Sequence, residues 1–173
     1  MHLSSTMTII DTHCHLYAEE FESDIDQVIA ASQQEGIQKF FLPNIDTLSI
    51  ANLLQLEARY PGTCIAMMGL HPCSVKANYK DELQVIESWF QKRSFAAVGE
   101  IGLDFYWDRS FEAEQYEAFR RQIALALQYQ VPIVIHSREA MQQCIDTVAA
   151  YAGSGLKGIF HCFGGSLQEA EQI

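Results

Sequence analysis

Ile9-Ile10-Asp11-Thr12-His13-Cys14-His15 is a short apolar run that ends in two imidazoles and contains no glycine. An open, doubly wound sheet ordinarily places a Gly-rich phosphate loop after its first strand. Here the turn carries a His-x-His pair instead. Three later runs finish the same way: Ile65-Ala66-Met67-Met68-Gly69-Leu70-His71, Ile133-Val134-Ile135-His136 and Gly158-Ile159-Phe160-His161. A further run, Ala96-Ala97-Val98-Gly99-Glu100, ends in a carboxylate. Such runs read as parallel strands that deliver polar groups to one rim. Groups at the ends of the first, fourth, fifth and sixth strands converge only if those strands curl about a common axis. That favours a TIM-type (β/α)8 barrel over an open sheet.

Working outward, β-type runs and helical patterns alternate along the chain. Strands are predicted over 8–15, 39–45, 64–70, 96–101, 132–136 and 156–162. Helices are predicted over 25–35, 48–59, 81–91, 111–130 and 139–151, and a sixth starts at Leu167. Gly36 closes the first helix, Pro61-Gly62 the second and Gly153-Ser154-Gly155 the fifth. The prediction is α/β with about six βα units of a barrel, the last two strands missing, because a closed barrel needs about 250 residues. Residues 7–173 read as one domain and residues 1–6 as a short N-terminal extension.

Of the 173 residues, 49% are hydrophobic and 19% charged, an ordinary globular balance. No apolar stretch approaches the roughly 20 residues that span a bilayer, and the N-terminus lacks the pattern of a signal peptide. A cytoplasmic location and no membrane partner are expected. The net charge is −11, from 22 acidic and 11 basic residues, so the chain lacks the broad basic footprint of a phosphate-gripping protein. The five cysteines form no C-x-x-C pair, which argues for reduced thiols. Strand alternation turns Cys14 away from His13 and His15, and Cys162 away from His161, so both are expected as buried packing residues.

His13, His15, Glu100, His136 and His161 together suggest a shared metal site, since imidazole with carboxylate is the ligand set of zinc and similar divalent ions. Residues i and i+2 of a strand share a face, which lets His13 and His15 reach one ion. Glu100 stands between Gly99 and Gly102, where backbones can approach closely, and its two oxygens suit it to bridge two ions. Asp11 either supports a ligand or shapes the rim. Asp104 is expected to hold backbone or a ligand by hydrogen bonds, and His71 to face substrate or to support the site. Arg138 pairs with a substrate phosphate or with Glu139 at the rim. The backbone N–H groups of Gly164-Gly165-Ser166, which precede a helix, are candidates to hold an anionic oxygen.

Asp11-Thr12-His13-Cys14-His15, Gly69-Leu70-His71-Pro72, Gly99-Glu100-Ile101-Gly102-Leu103-Asp104, Ile135-His136-Ser137-Arg138 and His161-Cys162-Phe163-Gly164-Gly165 resemble the TatD family of metal-dependent deoxyribonucleases. The resemblance runs in order along nearly the whole chain from Met7. It implies a TIM barrel with two divalent ions (Zn, Mg or Mn): His13 and His15 on one, His136 and His161 on the other, and Glu100 bridging both as the catalytic carboxylate. It also implies cleavage of phosphodiester bonds in DNA, in single strands or at 3′ ends. The family carries a further metal-binding Asp in a Glu-Thr-Asp type motif on a later strand, which does not occur before Ile173.

Two rival readings remain. The same ligands would polarise the carbonyl of a small amide, ester or lactone. Without the later Asp, the chain would be an inactive scaffold. Six strands of an eight-strand barrel would also leave two unpaired edges, through which the chain is expected to self-associate.

Overall fold

The strand Val98–Asp104 is buried along all seven of its residues, as the centre of a parallel sheet requires. The computed structural model describes residues 8–173, so the expected extension over 1–6 lies outside the described residues. Six strands, β1 (Ile9–Asp11), β2 (Ile37–Pro43), β3 (Cys64–Met67), β4 (Val98–Asp104), β5 (Ile133–Arg138) and β6 (Gly158–Phe160), alternate with six helices. The helices are α1 (Ile25–Gln34), α2 (Ile50–Arg59), α3 (Tyr79–Lys92), α4 (Glu112–Tyr129), α5 (Met141–Ala149) and α6 (Leu167–Ala170). Short 3₁₀ turns lie at Glu19–Phe21 and Pro72–Ser74.

Strands β1, β2 and β3 pair in parallel, as do β4, β5 and β6. The two sets join where Met68 bridges Val98: Met68 N–H donates to the Ala97 carbonyl (3.2 Å) and Gly99 N–H to the Met68 carbonyl (3.1 Å). Each strand therefore neighbours the next in sequence, with no reversal of strand order of the kind that defines a doubly wound sheet. Six flat strands at about 4.8 Å spacing would hold β1 and β6 about 24 Å apart. Instead, the rings of His13 and His161, just beyond those two strands, stack with centroids 3.4 Å apart. The sheet curls as a barrel wall does.

The apolar stripes of the helices pack against this wall: Ile25 and Ile29 of α1, Leu53 and Leu56 of α2, Leu83, Ile86 and Phe90 of α3, and Phe119, Ile123 and Ala126 of α4. Trp89 of α3 and Leu127 of α4, beside the same stripes, are only partly buried.

Three expectations need correction, the simplest being that the third strand stops at Met67 rather than Leu70. The first strand stops at Asp11, not at His15, because the Asp11 carboxylate accepts the His13 backbone N–H (3.0 Å) and bends the chain. The last strand stops at Phe160, and Cys162, with φ of 47°, is exposed rather than buried. Cys14 does turn towards the packed interior, its Sγ near the Phe41 carbonyl (3.9 Å).

Candidate metal centre

Glu100 is placed by a bulge. The register of β4 on β5 runs Gly99 to Val134 and then Ile101 to Ile135, so Glu100 is the extra residue and its side chain is re-aimed. The Gly99–Glu100 peptide is cis. Asn44, directly after β2, grips both sides of the bulge: its N–H donates to the Gly99 carbonyl (3.2 Å) and its carbonyl accepts the Glu100 N–H (3.3 Å). The buried Asn44 side chain also donates to the Gly69 carbonyl (2.8 Å), tying the end of β3 into the same knot.

The glycines around Glu100 work as close-approach points. A Cβ on Gly99 would lie 2.7 Å from Val134 Cβ, and one on Gly102, where φ is 141°, would lie 2.0 Å from the His136 carbonyl oxygen.

Four imidazoles surround the Glu100 carboxylate, which is 3% exposed. Its Oε2 lies 3.0 Å from His13 Nε2 and 3.6 Å from His15 Nε2. Its Oε1 lies 3.0 Å from His136 Nδ1 and 3.9 Å from His71 Nε2. One carboxylate thus divides its oxygens between two ligand groups, His13–His15–Glu100 and His71–Glu100–His136.

The neighbours of the imidazoles fix which nitrogen carries the proton. Tyr17 Oη donates to the Pro43 carbonyl, so it can only accept from His15 Nδ1 (2.8 Å). The lone pair of neutral His15 is thereby left on Nε2, facing Glu100. Asp104 Oδ2 accepts from His136 Nε2 (2.8 Å), leaving the His136 lone pair on Nδ1, again facing Glu100. This is the carboxylate–histidine arrangement that orients a metal ligand. His71 is different. Its Nδ1 accepts the Cys73 backbone N–H (3.1 Å), so the neutral ring carries its proton on Nε2 and points a donor, not a lone pair, at the centre.

In the neutral rings so fixed, the His15 lone pair faces an anionic oxygen and would repel it unless a cation lay between them, while the His136 lone pair sits between Glu100 Oε1 (3.0 Å) and the Nε2–H of His71 (3.2 Å). In addition, His13 Nδ1 is buried with no partner. Both observations fit the residues to divalent ions. Burial alone would raise the Glu100 carboxyl, but hydrogen bonds with His13, His136 and His15 hold it far below the usual carboxylate range. Burial, and then the adjacent His136 ring, push His71 down to about 4. Burial opposes protonation of His136 as well, yet its hydrogen bonds with Glu100 and Asp104 raise it above its ordinary value.

His161 reaches the centre differently from the other imidazoles. It stacks face to face on His13, 9° from parallel, and joins neither ligand group. Asp11 shapes the turn that delivers His13. Among the described residues Arg138 forms no ion pair with Glu139; its guanidinium lies 3.8 Å from the Tyr106 ring centroid. The anion cradle expected at Gly164-Gly165-Ser166 is filled from within, because Glu169 accepts the Ser166 N–H (2.6 Å) in a capping box of α6.

Several site residues escaped the sequence reading. Asn44 ends the apolar run Phe40-Phe41-Leu42-Pro43, the same pattern that exposed the histidines. Gln115 and Gln122 lie seven residues apart on the buried face of α4. Each clasps a rim residue through both of its amide atoms: Gln122 takes the Leu70 N–H (2.7 Å) and carbonyl (3.2 Å), and Gln115 takes the Asp104 N–H (2.9 Å) and carbonyl (3.1 Å). Polar residues inside an apolar helical stripe were the available signal. Tyr17 carried none.

Fold and site together define a (β/α)-barrel chain with a histidine–carboxylate metal centre at the C-terminal ends of its strands. More narrowly, the chain belongs to the TatD related DNase family, whose family model matches residues 10–173. It is 32% identical over 164 residues to the metal-dependent hydrolase YabD of Bacillus subtilis, covering 95% of this chain and 64% of that protein. It is 30% identical to the 3′-5′ ssDNA/RNA exonuclease TatD of Edwardsiella piscicida, covering 94% of this chain and 63% of that one. Its fold superposes on the crystal structure of YjjV, a TatD homolog from Escherichia coli, with a TM-score of 0.86 at 30% identity, over 95% of this chain and 63% of that one. A TatD family hydrolase from Entamoeba histolytica shares the fold, with a TM-score of 0.81 at 22% identity over 96% and 62% of the two chains. The chain spans just under two thirds of the length of the curated relatives it matches. Among the described residues, no helix is long and apolar enough to cross a membrane.

Proposed function

We propose that this chain provides the metal-binding residues of a hydrolase that cleaves phosphodiester bonds of single-stranded nucleic acid. The observation that carries the proposal is the division of the Glu100 oxygens between His13 and His15 on one side and His136 on the other. In this reading His13, His15 and Glu100 would hold one divalent ion, and His136, Glu100 and, once unstacked from His13, His161 would hold a second. Bound divalent ions would polarise the phosphoryl group and make water a competent nucleophile near neutral pH. The polypeptide does the rest. Tyr17 and Asp104 accept from the far nitrogens of His15 and His136 and so aim the near nitrogens inward. The neutral His71 holds its Nε2–H against His136 Nδ1 (3.2 Å), and that donor would be free for an oxygen of the substrate once His136 turns to a metal ion. Glu100, almost fully buried, keeps its negative charge inside a water-poor pocket, where electrostatic interactions are strong.

The test is hydrolysis of 3′-end-labelled single-stranded DNA and RNA with added Mg²⁺, Mn²⁺ or Zn²⁺, alongside a panel of lactones and amides. Expected is metal-dependent release of 3′ nucleotides that EDTA stops. Turnover of the lactones or amides with no release from either nucleic acid would overturn the substrate assignment.

A further inference from the structure

Directly after β4 the chain presents two aromatic rings to solvent: Tyr106, 48% exposed, and Trp107, 68% exposed. Their rings pack edge to face with centroids 4.7 Å apart. The Arg138 guanidinium lies 3.8 Å from the Tyr106 centroid and 5.2 Å from that of Trp107. Other cations around this loop are matched by carboxylates: Lys76 by Asp108 at 3.2 Å, and Arg109 by Glu112 at 2.6 Å. Among the described residues, Arg138 forms no ion pair. Its positive charge is directed into π faces and solvent, in a chain of net charge −11.

The cluster is built onto the metal centre. Asp104 Oδ1 accepts the backbone N–H of Tyr106 (3.0 Å) and of Trp107 (3.3 Å), while its Oδ2 accepts from His136 (2.8 Å). Arg138 follows His136 by two residues on β5, so the two share a face. Gly102 and Asp104 of β4 stand opposite His136 and Arg138. One carboxylate therefore fixes a metal ligand with one oxygen and the aromatic pair with the other. Two residues along a strand span about 6.6 Å, a step of the order of one nucleotide.

We infer that Tyr106, Trp107 and Arg138 form a stacking platform for one nucleobase of the bound strand, next to the phosphate at the centre. The inference rests on the nucleic-acid reading above and adds to it the residues that hold the base. Every base has a π face, so the platform would accept any sequence, and it supplies affinity without a basic stripe.

The chain has two tryptophans, Trp89 and Trp107, which makes fluorescence a direct readout. The probe is a phosphorothioate single-stranded oligonucleotide added to the full chain with Mn²⁺, with anisotropy of a labelled copy measured in parallel. Emission should be quenched on binding, and equally so in a Trp89→Phe variant. Trp107→Ala should lose the quench and bind roughly 5- to 100-fold more weakly, with Trp107→Phe recovering most of the affinity. An abasic oligonucleotide should bind the wild type as weakly as the intact one binds Trp107→Ala. Equal binding of abasic and intact strands, or unchanged binding by a folded Trp107→Ala variant, would overturn the platform while leaving the nuclease reading intact. No binding of either strand by the wild type would overturn both.

Discussion

Gly102→Ala tests whether backbone contact between β4 and β5 sets the metal centre. At this position φ is 141°, and an added Cβ would lie 2.0 Å from the His136 carbonyl oxygen. Carbon and oxygen in such contacts normally stay about 3.3 Å apart, so the strands must part by about 1.3 Å. The obstacle is backbone, which cannot rotate away as a side-chain tip can. A disfavoured backbone conformation costs about 1–3 kcal/mol, and overpacking at a tight contact costs about as much again. The sum is about 4 kcal/mol. For a domain of this size, each kcal/mol lowers Tm by about 2–4 °C, giving an expected drop of about 10 °C. Gly62→Ala is the control: φ there is 77° and nothing lies within 4 Å of the added Cβ, so only the backbone cost applies. That cost is about 1–2 kcal/mol, worth about 5 °C. The assay is thermal unfolding of both variants, followed by metal content after dialysis against Zn²⁺ or Mn²⁺. Gly102→Ala should also lose metal, since its Cβ displaces the residue that carries a ligand. Equal Tm losses in the two variants, with full metal retained, would refute the idea that this contact builds the site.

Glu100→Gln should lower kcat far more than it raises KM and reduce bound metal, as measured by elemental analysis. Full metal retention in a Glu100→Ala, His136→Ala double variant would contradict the shared-carboxylate assignment. Tyr17→Phe removes the acceptor that fixes the His15 tautomer and should weaken metal binding by about 10- to 100-fold, read by chelator competition. Metal-free protein should be most stable near pH 6.5 in a Tm series from pH 4 to 9. Below that value the unfolded chain binds a proton that folded His71, lowered to about 4, refuses, so acidification destabilises. Above it, folded His136, raised by Glu100 and Asp104, keeps a proton that the unfolded chain has released. That contribution is lost as pH rises through the folded value. A monotonic profile would contradict one of these two environments. Finally, Ile10 and Ile159, 45% and 47% exposed on the two edge strands, should drive association of the 173-residue chain. Light scattering that finds a stable monomer would count against open edges.

The barrel was legible because its evidence is periodic and repeated: apolar runs of strand length, each ending in a polar residue, separated by helical stripes. The residues that gather at the candidate site were legible because His13, His15, Glu100 and His136 sit at or just beyond those run ends. What failed was local. The twofold alternation used for His13 and His15 assumed a strand that Asp11 cuts short with its own side chain. The same assumption buried Cys162, which the structure exposes. Asn44, Gln115 and Gln122 act through backbone contacts 25, 11 and 52 residues away, and no spacing within one element reveals a partner on another.

The paired clasps of α4 have a bearing on how this scaffold can change. Gln122 and Gln115 hold the main chain at Leu70 and Asp104, the residues from which the His71 loop and the Tyr106–Trp107 loop depart. They bind amide groups that any residue would supply, and they do so from outside the barrel wall. Changes in the loops beyond those two anchors then reach the ligand-bearing strands through side chains, the Asp104 carboxylate and the His71 ring, rather than through the main chain. Two glutamines, two helical turns apart, thus pin the main chain on which both loops and the histidine–carboxylate cluster depend.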